Sequence, residues 1–165
     1  AKDLLIYEKY QELKLTNKGN EMALNVVRKH RLWEAFLFKM FDMSLHEIHR
    51  EAEFLEHATS DLLANKISTY LGNPQFDPHG DPIPNAEGEI TTEDTSIALS
   101  NTAEGQTYII ARLMSDDKDF FDFCANQGIK YGNKIKVSKQ FKKNKMTEIS
   151  INNNTILLTF IFISI

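Results

Sequence analysis

A chain of 165 residues, 42% of them hydrophobic, can bury a real core and form one domain or two small ones. Its formal net charge of −4 excludes binding nucleic acid by bulk electrostatics alone, so any DNA contact needs a local patch or a segment outside the chain. A single cysteine, Cys124, excludes an internal disulfide framework. With no basic-then-apolar leader and no run long enough to cross a bilayer, a cytoplasmic protein without a membrane partner is expected.

Leu4 to Thr16 reads as two short extended runs around a polar turn, a β-hairpin that needs something to pack on. Thr16-Asn17-Lys18-Gly19 opens a long helix reaching about Phe41, in which Met22, Val26, Val27, Phe36, Leu37 and Met40 recur at near-helical spacing. His30 and Glu34, four apart, stack on one face of it. Ser44-Leu45-His46-Glu47 is a capping box for a second helix, to about Ala58. Ser60-Asp61 caps a third, Leu62 to Leu71, stopped by Gly72 and Pro74. Short connections make these helices antiparallel neighbours, so that His30 and Glu34 can face His49.

From Asn73 to Thr95 the composition turns to Pro, Gly, Asp, Asn and Thr. Asp77 to Pro84 is expected to be ordered without helix or strand, with His79 as a turn residue, and residues 86–104 read as a polar linker. Beyond Gly105, Thr107 to Leu113 predicts a strand, Asp119 to Asn126 a short helix, and Lys134 to Val137 another strand. Glu148 to Ile151 and the apolar Thr155 to Ile165 supply further strands, split by a turn at Asn152-Asn153-Asn154. The fold class is α+β, ending in a small barrel or strongly curved sheet.

The chemistry gathers on the second helix. At about 100° per residue, His49, Glu53, Glu56 and His57 fall at roughly 0°, 40°, −20° and 80°, one narrow face. Ile48, Ala52 and Leu55 cluster near roughly −60° to −120°, so the ligand face borders the buried stripe. Imidazole plus carboxylate without thiolate suits Mn2+ and Fe2+, with Zn2+ or Co2+ able to substitute. His46 and His49 are three apart, which breaks the metalloprotease pattern, and Glu-x-x-His is absent before His30, His49 and His57. Neither a glycine-rich phosphate loop nor a nucleophile elbow is present, so the chain is not read as an enzyme.

Leu15 to Gly19, Arg28 to Leu32 with Glu34, His49 through His57, and Asp77 through Pro84, with the spacing between these blocks, resemble the diphtheria-toxin-repressor family of metal-dependent transcriptional regulators, which includes the manganese transport regulators. The resemblance covers roughly residues 3 to 137. It implies a winged helix-turn-helix, a helical metal-binding and dimerisation domain, and a small β-barrel of the Src-homology-3-like kind. In this chain that gives a remnant wing at 1–20, the helical domain at 21–85, a linker at 86–104 and the barrel at 105–165. It further implies that His30, Glu34 and His49 form an ancillary metal site and that Glu53, Glu56 and His57 belong to the primary, regulatory site. Asp116 is the candidate additional ancillary ligand from the barrel, with Asp117 and Asp119 close behind.

Three departures from the family pattern matter. The hairpin would be the wing, leaving the recognition helix and the amino-terminal ligand of the primary site upstream, so this chain is expected to bind operator DNA weakly or not at all. Position 53 is glutamate where iron-responsive relatives place cysteine, which leans towards manganese. The strand-rich end after about Met146 departs from the family. The resulting expectation is the metal-sensing part of a DNA-binding repressor, homodimeric through leftover apolar faces such as Trp33, Phe36, Phe38 and the third helix. The competing readings are a carboxylate/histidine metalloenzyme and a metal-free interaction module.

Overall fold

The computed structural model describes residues 3–6, 9, 12–115, 117–152, 154–159 and 163–165. The chain is α+β and divides into two compact units. The first comprises residues 1–42, 48–77 and 82–92; the second comprises residues 43–47, 78–81 and 93–165.

In the first unit, β1 (Leu5–Ile6) pairs antiparallel with β2 (Lys14–Leu15), the expected hairpin. Helix α1 (Asn17–Phe41) begins at Thr16, whose hydroxyl accepts from the Gly19 amide at 3.0 Å. The hairpin lies against this first turn: Thr16 N–H donates to Leu4 O at 3.0 Å, and a Cβ on Gly19 would sit 2.1 Å from that same oxygen. Only glycine admits so close a strand.

Helix α2 (Leu45–Glu56) carries the capping box. Ser44 N–H donates to Glu47 Oε2 at 2.9 Å, and Glu47 N–H returns to Ser44 Oγ at 3.3 Å. Helix α3 (Asp61–Leu71) is capped by Ser60, which accepts from Leu63 N–H. Leu32 of α1 packs with Ala64 and Ile67 of α3. Trp33 and Phe36, expected on a dimer face, pack against this cluster within the chain, and Trp33 Nε1 donates to Thr59 Oγ1 at 2.7 Å. Helix spacing puts them beside Leu32, so the intrachain core claims them first. Phe38, Met40 and Phe41 of α1, and Leu62, Leu63 and Tyr70 of α3, remain exposed.

The second unit is built on an antiparallel sheet ordered β3-β5-β6-β7, with β4 paired to β8 beside it. Its strands are β3 (Thr107–Ile109), β4 (Arg112–Leu113), β5 (Lys134–Phe141), β6 (Met146–Ile151), β7 (Asn154–Thr159) and β8 (Ile163–Ser164). The single strand expected over Thr107–Leu113 is therefore two. After Ile109 the chain leaves β5, Ile110 N–H donating to Asn133 O, and Arg112 and Leu113 take β8 as their partner. Ile135 and Val137 of β5, Ile149 and Ile151 of β6, and Ile156 and Leu158 of β7 alternate into one core. The apolar carboxyl-terminal run thus contributes core strand, while residues 160–162 fall outside the described residues.

Helix α4 (Lys118–Gln127) adds Phe121 and Cys124 to that core, and burial pushes the Cys124 thiol up to about 12, so it offers no thiolate. The stretch 86–104, expected as a polar linker, contains a 3-10 turn at Leu99–Asn101 whose Leu99 is fully buried in the same core. An apolar side chain at that turn is worth more inside than in water. His79 is buried with its ring 5.1 Å from that of Phe121, as a packed turn residue, and Gly80 passes so close to Ala111 O that a Cβ would stand 2.0 Å from it. Among the described residues no helix is long and apolar enough to cross a membrane.

Candidate metal centre

Helices α1 and α2 bring three donors to one point. His30 and Glu34 lie one turn apart on α1, with His30 Nε2 3.0 Å from Glu34 Oε1. His49 of α2 places Nδ1 3.0 Å from the same carboxylate oxygen and 3.1 Å from His30 Nε2. Glu34 is held there because its helix face is inside, and it is 2% exposed. The two imidazole rings meet edge to face, centroids 4.8 Å apart.

Around this triangle stand the other expected residues. Glu56 Oε2 lies 2.7 Å from His30 Nδ1, so both nitrogens of that ring meet carboxylates. Glu56 Oε1 lies 3.1 Å from His57 Nε2, and Glu53 Oε1 3.7 Å from His49 Nε2. The side chains of Glu53 and His57 are largely exposed. The sequence reading put Glu56 in a set apart from His30; the structure links the two directly. The signal was present, since Glu56 falls within roughly 20° of His49 on the helix wheel. Asp116 lies outside the described residues. Asp117 instead caps α4, accepting from the Asp119 amide at 3.0 Å.

Electrostatics follow from this crowding. Burial works against a charged His30, but its bonds to Glu34 and Glu56 outweigh that and hold its pKa above the ordinary 6.5. The bond to Glu34 raises His49 likewise, against partial burial and the nearby His30. Protons therefore occupy this cluster readily, as a cation would.

The donors fit a metal. Their separations of 3.0, 3.0 and 3.1 Å form a nearly equilateral triangle. Neighbouring ligands of an octahedral cation with bonds of about 2.1 Å stand about 3.0 Å apart, so one face of such a shell matches. Two nitrogens and a carboxylate, with the cysteine buried and protonated, favour first-row divalent ions of the harder kind.

Comparison with known proteins agrees. The family described as iron dependent repressor, metal binding and dimerisation domain, matches residues 16–85. The iron-dependent repressor IdeR of Mycobacterium leprae is 40% identical over 74 residues, 45% of this chain and 32% of that protein. A probable metal transport system membrane protein of Chlamydia trachomatis is 43% identical over 70 residues, 42% of this chain and 16% of that protein. The chain thus spans a third or less of the length of these two curated relatives. A solved manganese-dependent transcriptional repressor in complex with manganese superposes with a TM-score of 0.88 at 34% identity, covering 99% of this chain and 77% of that one. By sequence and by fold, the chain belongs to the diphtheria-toxin-repressor and manganese-transport-regulator family of metal-dependent transcriptional regulators.

Proposed function

We propose that this chain is the metal-sensing and dimerising part of a cytoplasmic transcriptional repressor that responds to Mn2+ or Fe2+. The observation that carries this reading is the triangle of His30, Glu34 and His49, closed by Glu56 on His30. His30 and His49 would each give a neutral nitrogen and Glu34 a carboxylate oxygen, while Glu56 would hold the His30 ring by its other nitrogen. A bound divalent cation supplies there the positive charge that balances Glu34 and Glu56, and bonds that tie α1 to α2. His30, Glu34 and His49 are read as the ancillary set, and Glu53, Glu56 and His57 as the regulatory set. Glu56 bridges the two, with one oxygen on His30 and the other on His57. The oxygen ligand at Glu53 favours manganese over softer competitors.

The remaining assignments follow the same reading. The hairpin within residues 1–20 is the wing, residues 21–85 the metal and dimerisation domain, and 105–165 a Src-homology-3-like barrel whose core also takes in Leu99 from the 86–104 stretch read as the linker. The four-stranded antiparallel sheet and its bulge after Val137 support the barrel. Exposed Phe38, Phe41, Leu62 and Tyr70 support a homodimer. Operator DNA is the partner of the full-length protein. Titration of chelator-stripped protein with Mn2+, Fe2+ and Zn2+ by calorimetry tests the reading. Saturable binding that His30→Ala weakens is expected, and no saturable binding of any of the three ions refutes it.

A further inference from the structure

Arg28 of α1 is 7% exposed and donates Nη2 to Asn65 Oδ1 of α3 at 2.9 Å. Among the described residues that amide is its one hydrogen-bond acceptor, and no carboxylate forms an ion pair with it. The other two arginines that hold loops in place differ. Arg31 meets Asp77, and Arg112 meets Asp81 and Asp94. The fields of Asp61 and Glu87 reach Arg28 without an ion pair to either, and Asp61 is already engaged by Lys29 at 2.9 Å and by Asn25 at 3.2 Å. A guanidinium taken out of water without a carboxylate is costly unless something else satisfies it.

Arg28 lines a cavity of about 390 Å³ in the first unit, whose walls contain no Asp or Glu. Asn65 spends its oxygen on Arg28, and Asn73 spends its oxygen on Ser68 Oγ at 3.2 Å, which leaves both amide N–H2 groups as donors. Ile83 and Pro84 supply an apolar wall. A cavity of this size suits a small molecule, and Arg28 with the amide groups of Asn65 and Asn73 gives it one cation and two donors.

We propose that this cavity binds the oxyanion group, carboxylate or phosphate, of a small polar metabolite, with Arg28 as the charged anchor and Asn65 and Asn73 as flanking donors. The site is separate from the metal-ligand cluster and does not depend on the metal reading. Calorimetry on the metal-stripped chain, with succinate in one arm and inorganic phosphate in the other, tests it and separates carboxylate from phosphate recognition.

Saturable one-to-one binding of at least one probe is expected, weakened about ten- to hundredfold in Arg28→Gln, the range that charge-assisted bonds span. Asn73→Asp keeps the acceptor for Ser68 and adds a negative charge at the cavity, so it should weaken binding at least about tenfold without loss of fold. Absence of saturable binding of both probes, or binding that Asn73→Asp leaves unchanged, overturns the proposal.

Discussion

Glu34→Gln separates what protons do at the α1–α2 junction from what a metal does. The glutamine keeps the shape of a 2%-exposed side chain but removes the charge that faces His30 and His49. In the metal-free protein two charge-assisted bonds become neutral ones, a loss of about 1 kcal/mol each at full burial. The His49 side chain is 40% exposed against 16% for His30, so its share is screened and the total is about 1–2 kcal/mol.

The sign with pH is fixed by the direction of the shifts. Both histidines have folded pKa values raised above 6.5, so their contribution is fully present below that unfolded value and is lost as pH rises through the folded values. Chelated wild type should therefore be more resistant to urea at pH 6 than at pH 8.5, and Glu34→Gln should show a flatter profile. The single tryptophan, Trp33, lies on α1 next to this cluster in sequence and reports the unfolding by fluorescence. With Mn2+ present the slope reverses, because ligand imidazoles must be neutral, and metal stabilisation grows with pH. A urea midpoint of the chelated wild type that does not fall between pH 6 and 8.5, or Mn2+ binding by Glu34→Gln as tight as wild type, would refute this reasoning.

Gly19→Ala forces the hairpin off the first turn of α1, since its Cβ would meet Leu4 O at 2.1 Å; a loss of about 1–3 kcal/mol is expected, with faster hydrogen exchange at the Thr16 amide. Phe41→Asp places a charge on an apolar side chain that is 63% exposed. It should shift the protein to monomer by light scattering at micromolar concentration, with helix content unchanged by circular dichroism. Ile149→Ala opens a cavity where β6 lies between β5 and β7, and should cost about 2–5 kcal/mol in urea titration.

What could be read from the sequence was short-range. Thr16, Ser44 with Glu47, and Ser60 announce helix starts because each cap is satisfied within three residues. His30 and Glu34 share a face by helix geometry alone. Relations across elements were harder to see. Which carboxylate of α2 meets His30 depends on the register of two helices, and the wheel placed Glu56 near His49 without showing that it reaches α1. Thr107 to Leu113 looks like one strand because the exchange of β5 for β8 as partner leaves no local mark. Arg28 stands in the sequence as one basic residue among several, and its pairing with the Asn65 amide in place of a carboxylate is visible only once α3 and the loop around Ile83 are folded against it.

His30 carries the main consequence of this geometry. Because both of its nitrogens meet carboxylates, which raise its pKa, a protonated His30 links Glu34 of α1 to Glu56 of α2 without a metal. A cation at the triangle must displace the proton on Nε2, so the free energy available to favour one helix arrangement is a difference between two bonded states. It is smaller than the gross metal affinity. That makes metal binding at the triangle depend on pH, while the Glu56 bond lies on Nδ1, the nitrogen that the triangle does not use.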